Sequence, residues 1–233
     1  MKYFSTRDKS RKLFSLSDAA FMGLAPDGGL FLPERIPQVD MKRVEALAEK
    51  SYADMALYLA QQIFDDVDAE LLERVVRDAY DFPIEMRCLN DKLHTLELFH
   101  GPTHAFKDFG ARFMGRMTGV LNDGGELVIL TATSGDTGSA VAHGFYGVEG
   151  VRVVILYPDG KVSPLQEAQM TTLGGNIHPL KVRGNFDDCQ RMVKSMFRDE
   201  ALRTEGRITS ANALNLLRWL PQSFYYFYGY CMW

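Results

Sequence analysis

Cysteine is scarce in this chain of 233 residues. Its three cysteines, Cys88, Cys189 and Cys231, are widely separated, and no two of them form a C-x-x-C pair. An odd number at such spacing argues against the disulfide framework of a small secreted domain and against a thiolate zinc site. We therefore expect reduced thiols in a cytoplasmic protein.

Strong charge of one sign and long apolar runs are also lacking. The net charge is −4, and no basic tract is interleaved with aromatic residues, which argues against nucleic acid as a partner. The first eight residues carry charges but no apolar core, so they do not resemble a secretory signal. The apolar stretch 214–233 is interrupted by Arg218, Pro221 and Gln222, which argues against a membrane span.

Histidines at a metal-binding spacing are lacking as well. His100 and His104 are four residues apart, but Gly101 and Pro102 between them prevent both from lying on one helical face. No carboxylate or cysteine is expected beside them to complete a ligand set, so we expect no metal site.

Two patterns of secondary structure follow one another along the chain. Up to about residue 91 the sequence predicts turns and helices, whereas from residue 93 predicted strands and helices alternate. Such alternation predicts βαβ units, a parallel sheet and the α/β class, with ligands at the carboxyl ends of the strands. The predicted strands are 93–99, 126–131, 151–157 and 176–182, and the predicted helices are 41–50, 52–64, 69–80, 109–121, 137–147, 164–173, 186–198 and 212–228.

Lys107 stands between the predicted strand 93–99 and the predicted helix 109–121. The positive end of the helix macrodipole disfavours a cation at this place. Because Phe106 and Phe109 flank the lysine, we also expect little water around it. Both effects favour the neutral amine, which is the form that attacks carbonyl groups. An ordinary surface lysine is the alternative, and these residues alone leave both open.

The segment 130–140 joins a predicted buried strand to a predicted helix and is built of small residues and hydroxyls. Gly135 and Gly138 permit close backbone approach, and free N–H groups at a helix start favour an anion. The segment matches neither a Walker loop nor the Rossmann fingerprint. Two alternatives remain: an N-cap formed by Ser134 or Asp136, or a cradle for a carboxylate or phosphate. In the cradle, Asp136 fits better opposite an electropositive or proton-bearing ligand atom.

Together with further motifs, the two loops resemble threonine synthase, a pyridoxal-phosphate (PLP) enzyme of the tryptophan-synthase-β fold type. The motifs follow one another along nearly the whole chain, and their order and number make the resemblance specific. They are YFSTR at 3–7, APDGGLFLPE at 25–34, LELFHGPT at 96–103, AFKDFG at 105–110, TATSGDTG at 131–138, VILYP at 154–158, SPLQE at 163–167 and SAN at 210–212. The resemblance implies an α/β fold with a parallel sheet, in which a helical N-terminal region precedes a small α/β domain and the large domain is incomplete.

The resemblance also implies roles for single residues. Lys107 resembles the catalytic lysine that binds PLP covalently, and Asp136 matches the loop position that faces the 3-oxygen of the cofactor. Thr133, Ser134 and Thr137 resemble the loop that binds the carboxylate and phosphate of the substrate.

Asn212 and Arg218 match a pair that grips the substrate phosphate, a role that suits the planar, bidentate guanidinium. A solvated helix arginine is the alternative for Arg218. The family commonly has serine where this chain has Ala213, which removes one possible hydroxyl donor to the phosphate.

Family members are roughly twice as long as this chain, which implies a chain truncated to the N-terminal half. The resemblance divides it into an N-terminal domain (1–91), the start of the PLP-binding large domain with Lys107 (92–125), a small α/β domain (126–228) and a truncated end (229–233). The family's loop for the cofactor phosphate has no match. We therefore expect the isolated chain to bind PLP poorly and to self-associate.

The implied reaction of threonine biosynthesis converts O-phospho-L-homoserine and water into L-threonine and phosphate, with PLP as the electron sink. A related PLP phospho-lyase that releases phosphate without adding water is a second possibility. A third is an inactive remnant, or a half that needs a complementing chain. The sequence leaves these three open.

Overall fold

The computed structural model describes residues 1–205 and 207–233, and its N-terminal part is mainly helical, as predicted. This part contains the strands β1 (Tyr3–Ser5) and β2 (Phe31–Pro33), which pair antiparallel, and the helices α1 (Leu16–Met22), α2 (Met41–Ala48), α3 (Tyr52–Ile63) and α4 (Ala69–Ala79). Ser15, Asp40, Ser51 and Asp68 each accept a backbone N–H group at a helix start, which fixes where the four helices begin. The pattern did not predict α1, because seven residues show little helical periodicity.

A hairpin follows, formed by β3 (Glu85–Asn90) and β4 (Leu93–Glu97), which pair antiparallel. The expectation that the strand before Lys107 is part of the parallel sheet is therefore wrong, and β3 was not predicted. Every residue of the two strands is at least partly exposed. The hairpin thus lacks the fully buried apolar run that is typical of central parallel strands.

The second part of the chain is built on a parallel sheet. The strands are β5 (Leu127–Ala132), β6 (Val151–Pro158), β7 (Ile177–Val182) and β8 (Arg207–Ser210), in the order β7-β6-β5-β8. Leu127 pairs with Val151 and Ala132 with Leu156, which confirms the predicted parallel pairing of β5 and β6. The pattern missed β8, because it has four residues and only one of them is buried.

Two layers of helices enclose this sheet. The helices of this part are α5 (Lys107–Leu121), α6 (Asp136–Phe145), α7 (Pro164–Thr171), α8 (Phe186–Arg198) and α9 (Glu200–Glu205). Ile129 of β5 belongs to the same core cluster as Val141 of α6, whereas its neighbour Leu130 packs in a second cluster with Val193 of α8. Successive residues of a strand face opposite sides, so α6 and α8 lie on opposite faces of the sheet.

The C-terminal segment is broken, although the pattern predicts one helix over 212–228. The structure has α10 (Leu216–Trp219), a 3-10 turn (Pro221–Ser223) and α11 (Phe224–Met232). Asn215 starts α10 by accepting the Leu217 N–H group at 3.0 Å. Pro221 supplies no N–H group and therefore interrupts the helical hydrogen bonds between α10 and α11.

Candidate active site

Lys107 is the first residue of α5, and a buried carboxylate holds the turn before it. Asp108 is fully buried and accepts hydrogen bonds from the Thr103 backbone N–H group at 2.9 Å and from the Thr103 hydroxyl at 2.7 Å. A Cβ atom on Gly101 would lie 2.5 Å from Asp108 Oδ2, so this close approach requires glycine. The position of Lys107 therefore depends on Asp108, a residue that the sequence analysis did not single out.

Charged groups from α5 and α6 surround Asp108. Burial raises the pKa of the Asp108 carboxyl, and the Thr103 donors, His143 and Arg112 oppose that rise. Burial lowers the pKa of His143 on α6, and Arg112 adds to this effect, whereas the Asp108 carboxylate opposes it. Asp108 on α5 and His143 on α6 thus each influence the pKa of the other.

The loop after β5 is closed by the hydroxyl of Thr133. This side chain is buried, and its Oγ1 accepts the N–H groups of Gly135 at 2.9 Å and Gly138 at 2.8 Å. Ser134 is exposed and Thr137 is partly buried. The hydroxyl of Thr133 therefore shapes the loop, whereas Ser134 and Thr137 are at least partly exposed.

The alternative in which Ser134 or Asp136 is the N-cap of α6 is wrong. The N-cap position is Gly135, and the helix begins at Asp136. Gly135 has a φ of +141°, a conformation that other residues rarely adopt. The loop therefore turns sharply at Gly135 and directs the first residue of α6 towards α5.

Lys107 and Asp136 meet at the starts of these two helices. Lys107 Nζ donates to Asp136 Oδ2 at 3.0 Å, with the lysine side chain 25% and the aspartate 51% exposed. This confirms the prediction that Lys107 lies at a helix start and faces the loop 133–138. The expected dry surroundings are not observed, because Phe106 remains 45% exposed and Phe109 alone is buried.

Arg218 on α10 packs against the first turn of α5. A Cβ atom on Gly110 would lie 2.6 Å from the Arg218 carbonyl oxygen. The Arg218 side chain is 2% exposed, and its Nη1 donates to the Ala211 carbonyl at 2.8 Å. Within the described residues, Nε has no hydrogen-bond partner and the guanidinium forms no ion pair. Burial lowers the pKa of Arg218 to about 10, so the group is still charged at neutral pH, and the alternative of a solvated arginine is wrong.

Asn212 follows β8, at the same edge of the sheet as the loop after β5. It lines a cavity of about 580 Å³ together with Thr131, Ser210 and Lys194. Its Oδ1 accepts the Leu214 N–H group at 2.8 Å, and the adjacent Ala213 is exposed. The carboxyl ends of β5 and β8 thus bring two predicted substrate-binding segments to one edge.

Gln166 also reaches the Lys107–Asp136 pair, although the sequence analysis did not identify it as a site residue. The motif Ser163-Pro164-Leu165-Gln166 predicts a capping box, and Ser163 does accept the Gln166 N–H group at 3.3 Å. The Gln166 side chain accepts the Ser163 hydroxyl with its Oε1 and donates to Asp136 Oδ1 with its Nε2. Two sequence signals thus contained this residue, the capping pattern and the family motif SPLQE at 163–167.

His100 has carboxylate neighbours that the sequence analysis did not expect. The antiparallel hairpin sets Glu85 opposite Glu97, and His100 Nε2 lies 2.8 Å from Glu97 Oε2. The premise that no carboxylate lies near His100 is therefore wrong. Arg87 forms ion pairs with both glutamates and so balances one of their two negative charges.

Comparisons with known proteins agree with this geometry. The family description "Threonine synthase N terminus" matches residues 2–80, and the description "Pyridoxal-phosphate dependent enzyme" matches residues 88–220, which is more than half of the chain. The chain belongs to the family of pyridoxal-phosphate dependent enzymes. Its cofactor as a family member is PLP, as the resemblance implied.

The similar proteins are threonine synthases. Those of Serratia marcescens and Escherichia coli are each 44% identical over 228 residues, which cover 97% of this chain and 53% of those proteins. The threonine synthase of Saccharomyces cerevisiae is 41% identical over an alignment of 251 positions, gaps included. This alignment covers 98% of this chain and 49% of that protein. The predicted resemblance to threonine synthase is confirmed, and the chain spans about half the length of the relatives it matches.

Solved structures give the same result for the fold. A crystal structure of the Escherichia coli threonine synthase superimposes with a TM-score of 0.87 at 42% identity, covering 100% of this chain and 54% of that one. A PLP-bound threonine synthase from Brucella melitensis gives a TM-score of 0.93 at 40% identity, with coverage of 100% and 52%. The α/β fold with its parallel sheet is confirmed.

Among the described residues, none of the helices combines the length and apolar character that a membrane span requires.

Proposed function

We propose that this chain provides the catalytic lysine and substrate-binding segments of a PLP-dependent threonine synthase. The reaction is the conversion of O-phospho-L-homoserine and water into L-threonine and phosphate, in the cytoplasm. The observation that carries the proposal is the 3.0 Å contact between Lys107 Nζ and Asp136 Oδ2, at two helix starts that lie within the residues matched by the pyridoxal-phosphate dependent enzyme family. The division of the chain at residues 91, 125 and 228 is part of the same proposal.

The residues at this contact fit PLP. The Lys107 amine is only partly buried, so an aldehyde can reach it, and Asp136 keeps half of its surface open beside it. Lys107 would hold the cofactor through its amine, and Asp136 would lie towards the 3-oxygen. When bound, PLP withdraws electrons from the carbons of the substrate.

The proton transfers fall to Lys107. With its amine free, Lys107 Nζ would accept and return protons at the α and β carbons of the substrate. Asp136 Oδ2 accepts a hydrogen bond from the same nitrogen and so fixes its position.

Arg218 and Asn212 are proposed to hold the substrate phosphate. The support is a charged guanidinium that is buried, with an unpartnered Nε and no ion pair within the described residues. A buried cation without an anion is costly, so such a side chain is typical of a site for an anionic ligand. Ser134 and Thr137 would offer hydroxyls to the substrate, and Thr133 would act by shaping the loop.

A two-arm assay tests this proposal. The chain is supplied with PLP and O-phospho-L-homoserine, either alone or co-expressed with the part of the Escherichia coli enzyme that it does not span, and threonine and phosphate are measured. We expect threonine in the second arm. Phosphate without threonine supports the phospho-lyase alternative, and neither product in either arm supports an inactive remnant. Lys107→Ala should abolish any activity, whereas Lys161→Ala, at an exposed position, should retain it.

A further inference from the structure

The side chain of Gln166 connects α7 to the Lys107–Asp136 pair. Gln166 Nε2 donates to Asp136 Oδ1, while Lys107 Nζ donates to the other carboxylate oxygen, Oδ2, at 3.0 Å. Both oxygens of one carboxylate are thus engaged, each by a different helix. Asp136 therefore cannot turn without breaking one of the two hydrogen bonds.

The amide of Gln166 is itself held in one orientation. Ser163 Oγ donates to Gln166 Oε1 at 3.1 Å, which leaves Nε2 to donate to Asp136. A Cβ atom on Gly135 would lie 2.1 Å from Gln166 Oε1, so the amide can approach the loop only because this residue is glycine. The helix start and the loop both contribute to the position of this amide.

We propose that Gln166 is a positioning residue that holds the Asp136 carboxylate against Lys107 and thereby sets the reactivity of the lysine amine. The inference rests on the proposed function, in which Lys107 binds an aldehyde cofactor and Asp136 lies towards its 3-oxygen. Asp136 is half exposed, and ion pairs at such sites are weak unless the geometry is fixed. Without Gln166 the carboxylate turns to solvent, and the lysine amine loses its hydrogen-bond acceptor.

The test measures aldehyde capture by Lys107 in the 233-residue chain itself, without turnover. The probe is pyridoxal, which lacks the phosphate group, in the presence of borohydride. The lysine nitrogen bonds to the aldehyde carbon, water leaves, and hydride from the borohydride reduces the carbon–nitrogen double bond. Mass spectrometry of the peptide that contains Lys107 then gives the rate of labelling at neutral pH.

A double-mutant cycle separates positioning through Asp136 from a general structural effect. We expect Gln166→Leu to increase the labelling rate about two- to fivefold, the size of a partly exposed ion pair. Asp136→Asn should increase it at least as much, and Gln166→Leu should add nothing in that background. An unchanged rate in Gln166→Leu, or effects that multiply in the double variant, overturns the proposal.

Two further variants keep the test decisive. Gln169→Leu makes the same change one turn further along α7 and should leave labelling unchanged, whereas an equal increase there would overturn the specific role of Gln166. If Gln166→Leu does not fold, Gln166→Glu keeps the size of the side chain and places a second carboxylate beside the pair. It should slow labelling, and an unchanged or faster rate counts against the proposal.

The cycle also separates this inference from the proposed function. Non-additive labelling together with an absence of threonine in the two-arm assay leaves the positioning role standing and rejects the synthase. Additive labelling together with threonine formation rejects the positioning role alone.

Discussion

At the scale of single residues, the buried charge of Arg218 destabilises the folded chain. Its guanidinium is buried without an ion pair among the described residues, and burial lowers its pKa to about 10. A one-unit shift corresponds to about 1.4 kcal/mol, so a charged Arg218 weakens the folded state. Sites of this kind are retained when the charge serves a ligand.

Replacing Arg218 by methionine should therefore stabilise the chain and remove phosphate binding. We expect the free energy of unfolding to rise by about 1–3 kcal/mol, since an apolar side chain of similar length removes the buried charge. Urea unfolding and calorimetric titration with O-phospho-L-homoserine measure the two effects. The exposed Arg183→Met is the matched control and should change neither quantity. A destabilised Arg218→Met variant that still binds the substrate would contradict the assignment.

At the scale of elements, backbone contact between α5 and α6 brings the site together. A Cβ atom on Gly115 of α5 would lie 2.0 Å from the Gly144 carbonyl oxygen of α6, and a Cβ on Gly144 would lie 2.5 Å from the Ala111 carbonyl oxygen. The two helices can approach this closely only with glycine on both. The helix starts that carry Lys107 and Asp136 depend on this contact.

Gly115→Ala should separate the two helices. We expect the free energy of unfolding to fall by about 3 kcal/mol, because the added methyl group meets rigid backbone. Gly119→Ala, one turn later on α5, is the control. A Cβ atom on Gly119 would meet only the side chain of Val148, at 3.1 Å. The free energy of unfolding of Gly119→Ala should therefore equal or slightly exceed that of the wild-type chain. Equal stability of the two variants would show that the close contact does not hold the helices together.

His143 should make the packing of α6 on α5 sensitive to pH. Burial is the main cause that holds its pKa below the usual 6.5, so the unfolded chain binds a proton more readily than the folded one. Its contribution to stability is therefore present above pH 6.5 and is lost as the pH falls below it.

The measurement is the urea midpoint above and below pH 6.5, for the wild-type chain and for His143→Gln. The wild type should lose stability towards acid more steeply than the variant, which has no proton to bind at that position. If the urea midpoints of the wild-type chain and of His143→Gln changed equally with pH, His143 would be excluded as the source of the pH dependence. The exposed His178→Gln serves as the control and should leave the slope unchanged.

At the scale of the whole molecule, aromatic side chains of α11 and of Trp233, which follows it, face solvent. Tyr226, Tyr230 and Trp233 are 70%, 64% and 88% exposed. Exposed apolar groups in one patch promote association, as do the unpaired edges of a sheet, here β7 and β8. Self-association of the chain remains a prediction.

Sedimentation velocity over a range of concentrations measures this association. We expect the chain to form larger species as its concentration rises, and the double variant Tyr230→Lys, Trp233→Ser to shift it towards the monomer. Tyr146→Lys introduces the same charge at another exposed tyrosine and should have no effect. A chain that stays monomeric throughout the range would contradict the prediction.

The sequence by itself determined the local features of this protein. The parallel strands β5 and β6, the helix α8 and the helix start at Lys107 all follow from local periodicity and composition. The motifs also predicted the family, because each motif is an unbroken run of residues and their order can be read directly from the sequence. The candidate roles of Lys107 and Asp136 came from these motifs, and the structure brings the two side chains into contact.

Only the tertiary structure decided which distant groups meet. The addition of β8 to the sheet beside β5 depends on contacts between segments far apart in sequence. The same is true of the burial of Arg218 and of the hydrogen bond from Gln166 to Asp136. Local propensity carries no information on such contacts, because they arise only when packed helices and strands bring their side chains together.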